Sequence, residues 1–225
     1  MSTAQATQQR PDSSLSLSER LRTDTRQDHD SAESNSFAKA LLAGTLPREG
    51  YTALAVQHYF IYTALEEVAQ SLATHPVGGA VYFPELHRVP ALERDLAFLC
   101  GPDWRDTITP LPSTRAYAER IRWTADWPGG FIAHHYTRYL GDLSGGQFIK
   151  RVVQQTYGFD DGAGIEFYVF DQLGSLPRFK KSYRAAVDAL NLDEAEQQRI
   201  IEEAHVAYRF NTEMMNELSG FVPAS

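Results

Sequence analysis

Arg22, Arg26, His29 and Glu33 are spaced so that their chemistry converges. At about 100° per residue, a helix carrying them places all four within an arc of roughly 60° on one face. A histidine with cationic groups one and two turns before it suits a planar ligand with a metal at its centre and carboxylates at its rim, as in heme. Imidazole ligates iron, guanidinium groups bind carboxylates, and an acid one turn further on orients the ring through its other nitrogen. The same four residues also describe an ordinary solvated face with i,i+4 charges, and alone they do not choose between the two.

A second segment, Tyr136-Thr137-Arg138-Tyr139-Leu140-Gly141-Asp142-Leu143-Ser144-Gly145-Gly146-Gln147, lies in a helical pattern yet carries three glycines. Each costs about 1 kcal/mol against Ala inside a helix, so something must offset the loss. Without side chains, these positions let a bent helix backbone lie directly over a flat ligand, leaving room for a molecule as small as dioxygen. Tight packing of the small-xxx-small kind is the alternative. A phosphate loop is excluded, because the Gly-Lys-Ser/Thr ending and a preceding strand are both lacking.

The elements that must position these groups are helical. Ser16-Leu17-Ser18-Glu19 has the form of a capping box and opens an amphipathic stretch to about Leu42, with a break near Ser34 to Ser36. Gly44 to Gly50 reads as a turn. Tyr51 to Ala73 has helical apolar spacing at Leu54, Tyr62, Leu65, Val68 and Leu72. Pro90 to Cys100 and Ser113 to Asp126 are shorter helices around a loop at Gly101 to Pro112. Pro128-Gly129-Gly130 stops the chain before a long segment from Phe131 to Tyr157, and Gly158 to Gly164 is a loop. Arg178 to Leu190 follows Pro177, and Asp193 to Leu218 carries its acids early, as a last long helix should. There are no internal repeats and little strand alternation, so the expected fold is an all-α array.

Composition narrows the partners. The 225 residues suit one domain, expected over 16–221, with a flexible tail at 1–15 and a short end at 222–225. With 21 basic and 29 acidic side chains the net charge is −8, which repels nucleic acid and anionic membranes. The single cysteine, Cys100, closes no intrachain disulfide and fits a reducing compartment. The N-terminus, rich in Ser, Thr and Gln, has no signal-peptide pattern, and no apolar run approaches the roughly 20 residues that span a bilayer. A cytoplasmic protein without a membrane anchor is expected.

The run Tyr139-Leu140-Gly141-Asp142-Leu143-Ser144-Gly145-Gly146-Gln147 resembles the signature of the heme oxygenase family. The resemblance extends from about Leu17 to Phe221. It includes Asp28-His29-Asp30-Ser31-Ala32-Glu33, the run from Tyr62 to Glu67, Val81-Tyr82-Phe83-Pro84-Glu85-Leu86 and Phe179-Lys180-Lys181-Ser182-Tyr183-Arg184. It implies that heme b, both cofactor and substrate, lies between a proximal N-terminal helix and a glycine-kinked distal helix. His29 then matches the axial ligand and Glu33 the acid near its imidazole. Gly141 and Gly145 match the distal glycines that steer oxygen toward one edge of the macrocycle. Asp142 matches the carboxylate that delivers protons through ordered water, with Tyr62, Arg138 and Asn211 as its hydrogen-bonding neighbours. Arg22, Tyr136, Lys180 and Arg184 fall at or near the positions that hold the propionates, with Ser144 among the heme contacts. Arg22 stands where lysine is common in relatives, and Met215 near a position often aromatic. His134 and His135 read as supporting residues.

By the same resemblance the reaction opens heme with dioxygen to biliverdin, expected as the IXα isomer, with carbon monoxide and ferrous iron. No nicotinamide or flavin fingerprint is present, so electrons come from outside, from ferredoxin with its reductase or from a flavoprotein reductase. Two other readings compete. A carrier or sensor would bind heme without turnover, but has no use for Asp142 and its polar neighbours. A di-iron oxidase is suggested by Glu202-Glu203-Ala204-His205, but needs a second Glu-x-x-His and further carboxylates.

Overall fold

In the computed structural model the described residues, 15–223, contain helices and turns and no strand. The 1–15 tail, Leu15 excepted, and the last two residues of the C-terminal end lie outside them. Three short helices come first: α1 (Leu17–Asp24), α2 (Arg26–Ser34) and α3 (Ser36–Leu42). The long α4 (Arg48–Ser71) leads through two 3₁₀ turns to α5 (Val89–Cys100), the single turn α6 (Trp104–Thr107) and α7 (Pro112–Trp123). Then come α8 (Pro128–Asp142), α9 (Gly146–Tyr157), a 3₁₀ turn at Glu166–Tyr168, α10 (Leu176–Asp188) and α11 (Glu194–Glu217). The core forms where α4 packs on α7 and α5, and α8 on α11. Ile61, Leu65, Phe131, Ile132, Ile200 and Ala207 are among its fully enclosed residues.

The capping box at Ser16 and Glu19 is present, and the expected break near Ser34 to Ser36 falls at Asn35. Its extended backbone lets its Oδ1 accept the Phe37 amide at 2.9 Å and cap α3. A further break, at Thr25, was not expected. This buried hydroxyl donates to the Leu21 carbonyl at 2.5 Å, and bonding of this kind competes with the helical ladder and bends it. Arg22 therefore belongs to a different helix from Arg26, His29 and Glu33, and the single four-residue line does not form.

The segment from Phe131 to Tyr157 is likewise two helices, broken between Asp142 and Gly146, with α8 beginning earlier, at Pro128. Gln147 Nε2 supports the break by donating to the carbonyls of Asp142 (3.2 Å) and Tyr168 (3.1 Å). The loop at Gly101 to Pro112 holds α6, whose Trp104 is buried beside Tyr59.

The helices that frame the glycine break are held unequally. Arg20, buried in α1, donates to Glu194 and Gln198 at 2.9 Å each, and Ser18 donates twice to Asp188. In contrast, α2 contains no buried residue. It lies on α11 through polar contacts: His205 Nδ1 to Asp28 Oδ2 at 2.8 Å, and Asn35 to Asn216 at 2.7 Å where α2 ends.

Candidate active site

The break in the glycine-rich segment and the bare inner face of α2 meet at one cavity of about 510 Å³, a size within the range of small-molecule sites, about 300–1,000 Å³. His29 and Glu33 line it from α2. Arg138, Gly141 and Asp142 line it from α8, Gly145 from the break and Asn211 from α11. These seven residues come from the beginning, the middle and the end of the sequence.

The glycines divide by role. A methyl group at Gly141 would meet no heavy atom within 4 Å beyond its own helical turn, and one at Gly145 would meet only the Gly141 carbonyl oxygen at 3.8 Å. At Gly146 it would meet Tyr168 Cδ1 at 3.3 Å and Asp142 Cβ at 3.5 Å. Gly146 is thus a packing glycine, whereas Gly141 and Gly145 leave space in the cavity wall. Neither has a positive φ, so backbone conformation does not demand glycine at either position. A flat ligand lying on the backbone accounts for both.

On the α2 side the His29 imidazole is half exposed, with Glu33 Oε1 at 3.7 Å from Nε2 and Asp30 Oδ1 at 3.7 Å from Nδ1. Tyr208 of α11 stands edge-on to the ring, centroids 6.3 Å apart. Asp30 and Tyr208 were not anticipated: Asp30 adjoins the histidine but lies off the line at 22, 26, 29 and 33, and Tyr208 sits in a different helix. Arg26 is largely exposed, its Nε 4.0 Å from Asp30, and does not line the cavity.

Asp142 anchors the opposite wall. The Tyr62 hydroxyl donates to its Oδ2, and Arg138, whose guanidinium lies 5.1 Å over the Tyr62 ring, donates to Asn211 Oδ1. Burial pushes the Asp142 carboxyl up to about 6, even though Arg138, the Tyr62 hydrogen bond and Arg88 pull it down. Burial opposes the Arg138 charge too, but Tyr62 and Asp142 prevail and raise its pKa. Arg138 Nε and the Thr137 hydroxyl are buried with no protein partner. Both belong to residues that line the cavity, although the two atoms themselves are enclosed.

Lys180, Arg184, Tyr136 and Arg22 form a band beside this wall. Lys180 Nζ donates to Ser144 Oγ at 3.0 Å, next to Gly145. Partial burial and the neighbouring Arg184 lower its pKa. Arg184 Nε is buried without a partner, and Arg184 and Arg22 both lie near the Tyr136 phenol. The phenol itself donates to the Ser18 carbonyl at 3.1 Å. Its one proton therefore ties α8 to α1 and is not offered to a carboxylate.

His134 and His135 are supporting residues in this structure, both fully buried, with His134 Nε2 at 2.8 Å from Glu203 and His135 Nδ1 at 2.7 Å from the Tyr183 hydroxyl. The Glu202 to His205 motif does not gather a metal site. Glu203 turns to His134 and Arg120, and His205 to Asp28. Among the described residues the one grouping with metal-ligand spacing is His29, Asp30 and Glu33.

A half-exposed imidazole, a bare backbone wall and orphaned polar groups around one apolar cavity fit a planar metallated ligand with charged substituents. Known proteins point the same way. The heme oxygenase family model matches residues 15–217. Heme oxygenase 1 of Synechocystis sp. is 40% identical over 208 residues, 92% of this chain and 86% of the relative. Heme oxygenase of Pyropia yezoensis is 40% identical over 204 residues, 90% and 86%. The crystal structure of the Synechocystis heme oxygenase-1 in complex with heme has a TM-score of 0.88 to this chain, covering 92% of this chain and 93% of that one.

Proposed function

This chain belongs to the heme oxygenase family and is a heme-degrading oxidoreductase, and from that premise we propose that it opens heme to biliverdin IXα, carbon monoxide and ferrous iron in the cavity between α2 and the α8–α9 break. Heme supplies the iron that activates dioxygen and the macrocycle that is oxidised. His29 would present one ring nitrogen to the iron, which leaves only the other for a carboxylate, Glu33 beside Nε2 or Asp30 beside Nδ1, to orient the ring. Gly141 and Gly145 leave room for a macrocycle to lie against backbone, which would confine a small gas molecule there. The observation that carries this reading is the empty space beside those two glycines, in the same cavity as His29.

Asp142 handles protons. A carboxyl with a pKa near 6 is suited to exchange protons close to neutrality. Tyr62 holds one carboxylate oxygen, Arg138 keeps the surroundings positive, and Asn211 fixes Arg138. Ordered water in the cavity would link Asp142 to the reacting oxygen. Such polar machinery has no use in a carrier. Lys180 and Arg184 provide the cations for the propionates, with Arg22 adding charge nearby and Ser144 a hydroxyl.

Dioxygen and an external electron donor, ferredoxin with its reductase or a flavoprotein reductase, complete the reaction. Among the described residues no helix is long and apolar enough to cross a membrane. The test is to add hemin, then ferredoxin, its reductase and NADPH in air, and to follow the Soret band and the bilin isomer formed. Loss of the band with biliverdin IXα formation, reduced in His29→Ala and Asp142→Ala, is expected. A stable band under demonstrated reduction and oxygen binding would make this a heme-binding protein without turnover.

A further inference from the structure

One buried histidine of the cavity wall has no part in the mechanism above. His58 lies on α4 one turn before Tyr62 and so shares its face, is 8% exposed, and lines the cavity together with Asp142 and Arg138. Its close neighbours are aromatic, with Phe167 and Tyr62 ring centroids at 5.0 and 6.0 Å. No hydrogen bond to another described residue perturbs it, and burial, with the Arg138 charge second, holds its pKa well below the ordinary range. It is therefore a neutral imidazole with one N–H donor and one acceptor, both needing partners. A polar ring left this way among aromatics costs folding free energy that Phe or Leu would not.

The groups around it are those of the distal wall. Arg138 and Asp142 face the cavity from α8, Tyr62 lies on its own helix, and a narrow hollow beyond it is lined by Tyr51, Asp95 and Tyr168. That hollow is too tight for water, so partners for the imidazole must come from the cavity side. The same cavity is lined by Asp142, Arg138 and Asn211, and an ordered water needs two to four polar partners.

Resting on the function proposed above, we propose that His58 is a positioning residue of the distal wall, holding a cavity water that extends the Asp142 proton network toward α4. In this role it accepts a hydrogen bond at one ring nitrogen and donates at the other, and no bond to it is made or broken.

Two variants test this in the full chain. His58→Phe keeps the ring volume and removes both polar atoms, and His58→Gln keeps a donor and an acceptor. With hemin bound, His58→Phe is expected to lower biliverdin formation about tenfold, at the scale of a lesser contributor to proton transfer, and to shift the pH midpoint of the ferric acid–alkaline spectral transition. His58→Gln restores most of both. Without hemin, His58→Phe melts at the same temperature as the wild type or higher, because the ring volume is kept and no hydrogen bond to protein is lost. Unchanged turnover and spectral midpoint in His58→Phe, or a loss of apoprotein stability that accompanies its loss of turnover, would overturn the assignment. A wild-type chain that bound no hemin would overturn this inference and the proposed function together, whereas an active wild type with an indifferent His58→Phe overturns this inference alone.

Discussion

Gly141→Ala is expected to strengthen the empty protein and to cripple the loaded one. Gly141 has no positive φ and is the penultimate residue of α8, so alanine satisfies the same backbone and adds helix propensity. The gain is up to about 1 kcal/mol, less near a helix end. For a chain of this size that raises the melting temperature by up to about 2–4 °C. No steric term cancels it, since the new methyl meets nothing within 4 Å. The methyl instead occupies the space assigned to the macrocycle and the bound diatomic molecule. Thermal unfolding with and without hemin, a hemin titration and product isomer analysis read both effects. Gly146→Ala is the control, because its methyl is pressed against Tyr168 at 3.3 Å, and overpacking costs about 1 kcal/mol or more. Should Gly141→Ala destabilise the hemin-free protein as Gly146→Ala does, or leave turnover and isomer pattern untouched, the assignment of Gly141 to the cavity would be wrong.

Other consequences arise from the same geometry. The Tyr62 hydrogen bond lowers the pKa of Asp142, so Tyr62→Phe raises it above about 6. Because the carboxyl delivers its proton from the protonated form, the fall in turnover on alkalinisation then begins at a higher pH than in the wild type, and an unmoved alkaline limb refutes the coupling. Burial raises the Glu203 carboxyl, but hydrogen bonds from His134 and Arg120 bring it down to about 2 from the usual 4.5. Its stabilisation is therefore present above pH 4.5 and lost as pH falls toward 2. Glu203→Gln should cost about 3 kcal/mol at neutral pH, the low end for a broken buried pair because Arg120 reaches solvent, and the gap to wild type should close on acidification in denaturant melts. With no buried residue of its own, α2 should exchange its amide hydrogens far faster than α8 in the empty protein and slow markedly when hemin binds. Equal protection of the two helices without hemin would contradict that picture.

How far the site was legible in the sequence depends on whether a feature is local. The capping box at Ser16 and Glu19, the helical spacing of Leu54, Tyr62 and Leu65, and the early acids of the last helix can each be read from a few consecutive residues, and each is present. Thr25 could not be read this way: threonine is tolerated in helices, and the same hydroxyl-to-carbonyl bond at Thr52 and Thr63 leaves α4 unbroken. Thus the line at 22, 26, 29 and 33, sound as periodicity, divides between two helices.

The glycines show the same limit. Three glycines in a helical pattern announce that space is needed, but not where. Only the fold separates Gly146, crowded by Tyr168, from Gly141 and Gly145, crowded by nothing. His58, Thr137 and Tyr168 left no local signal at all, since a polar or aromatic residue on a helical or turn pattern is ordinary until its neighbours are known. Their interest arises from the neighbours that only the fold supplies. Removing a polar group that has no protein partner should leave the fold intact and disturb the chemistry, whereas breaking a satisfied pair such as His134 and Glu203 should do the reverse. In this cavity wall, the sign of the stability change separates residues retained for the fold from those retained for the ligand.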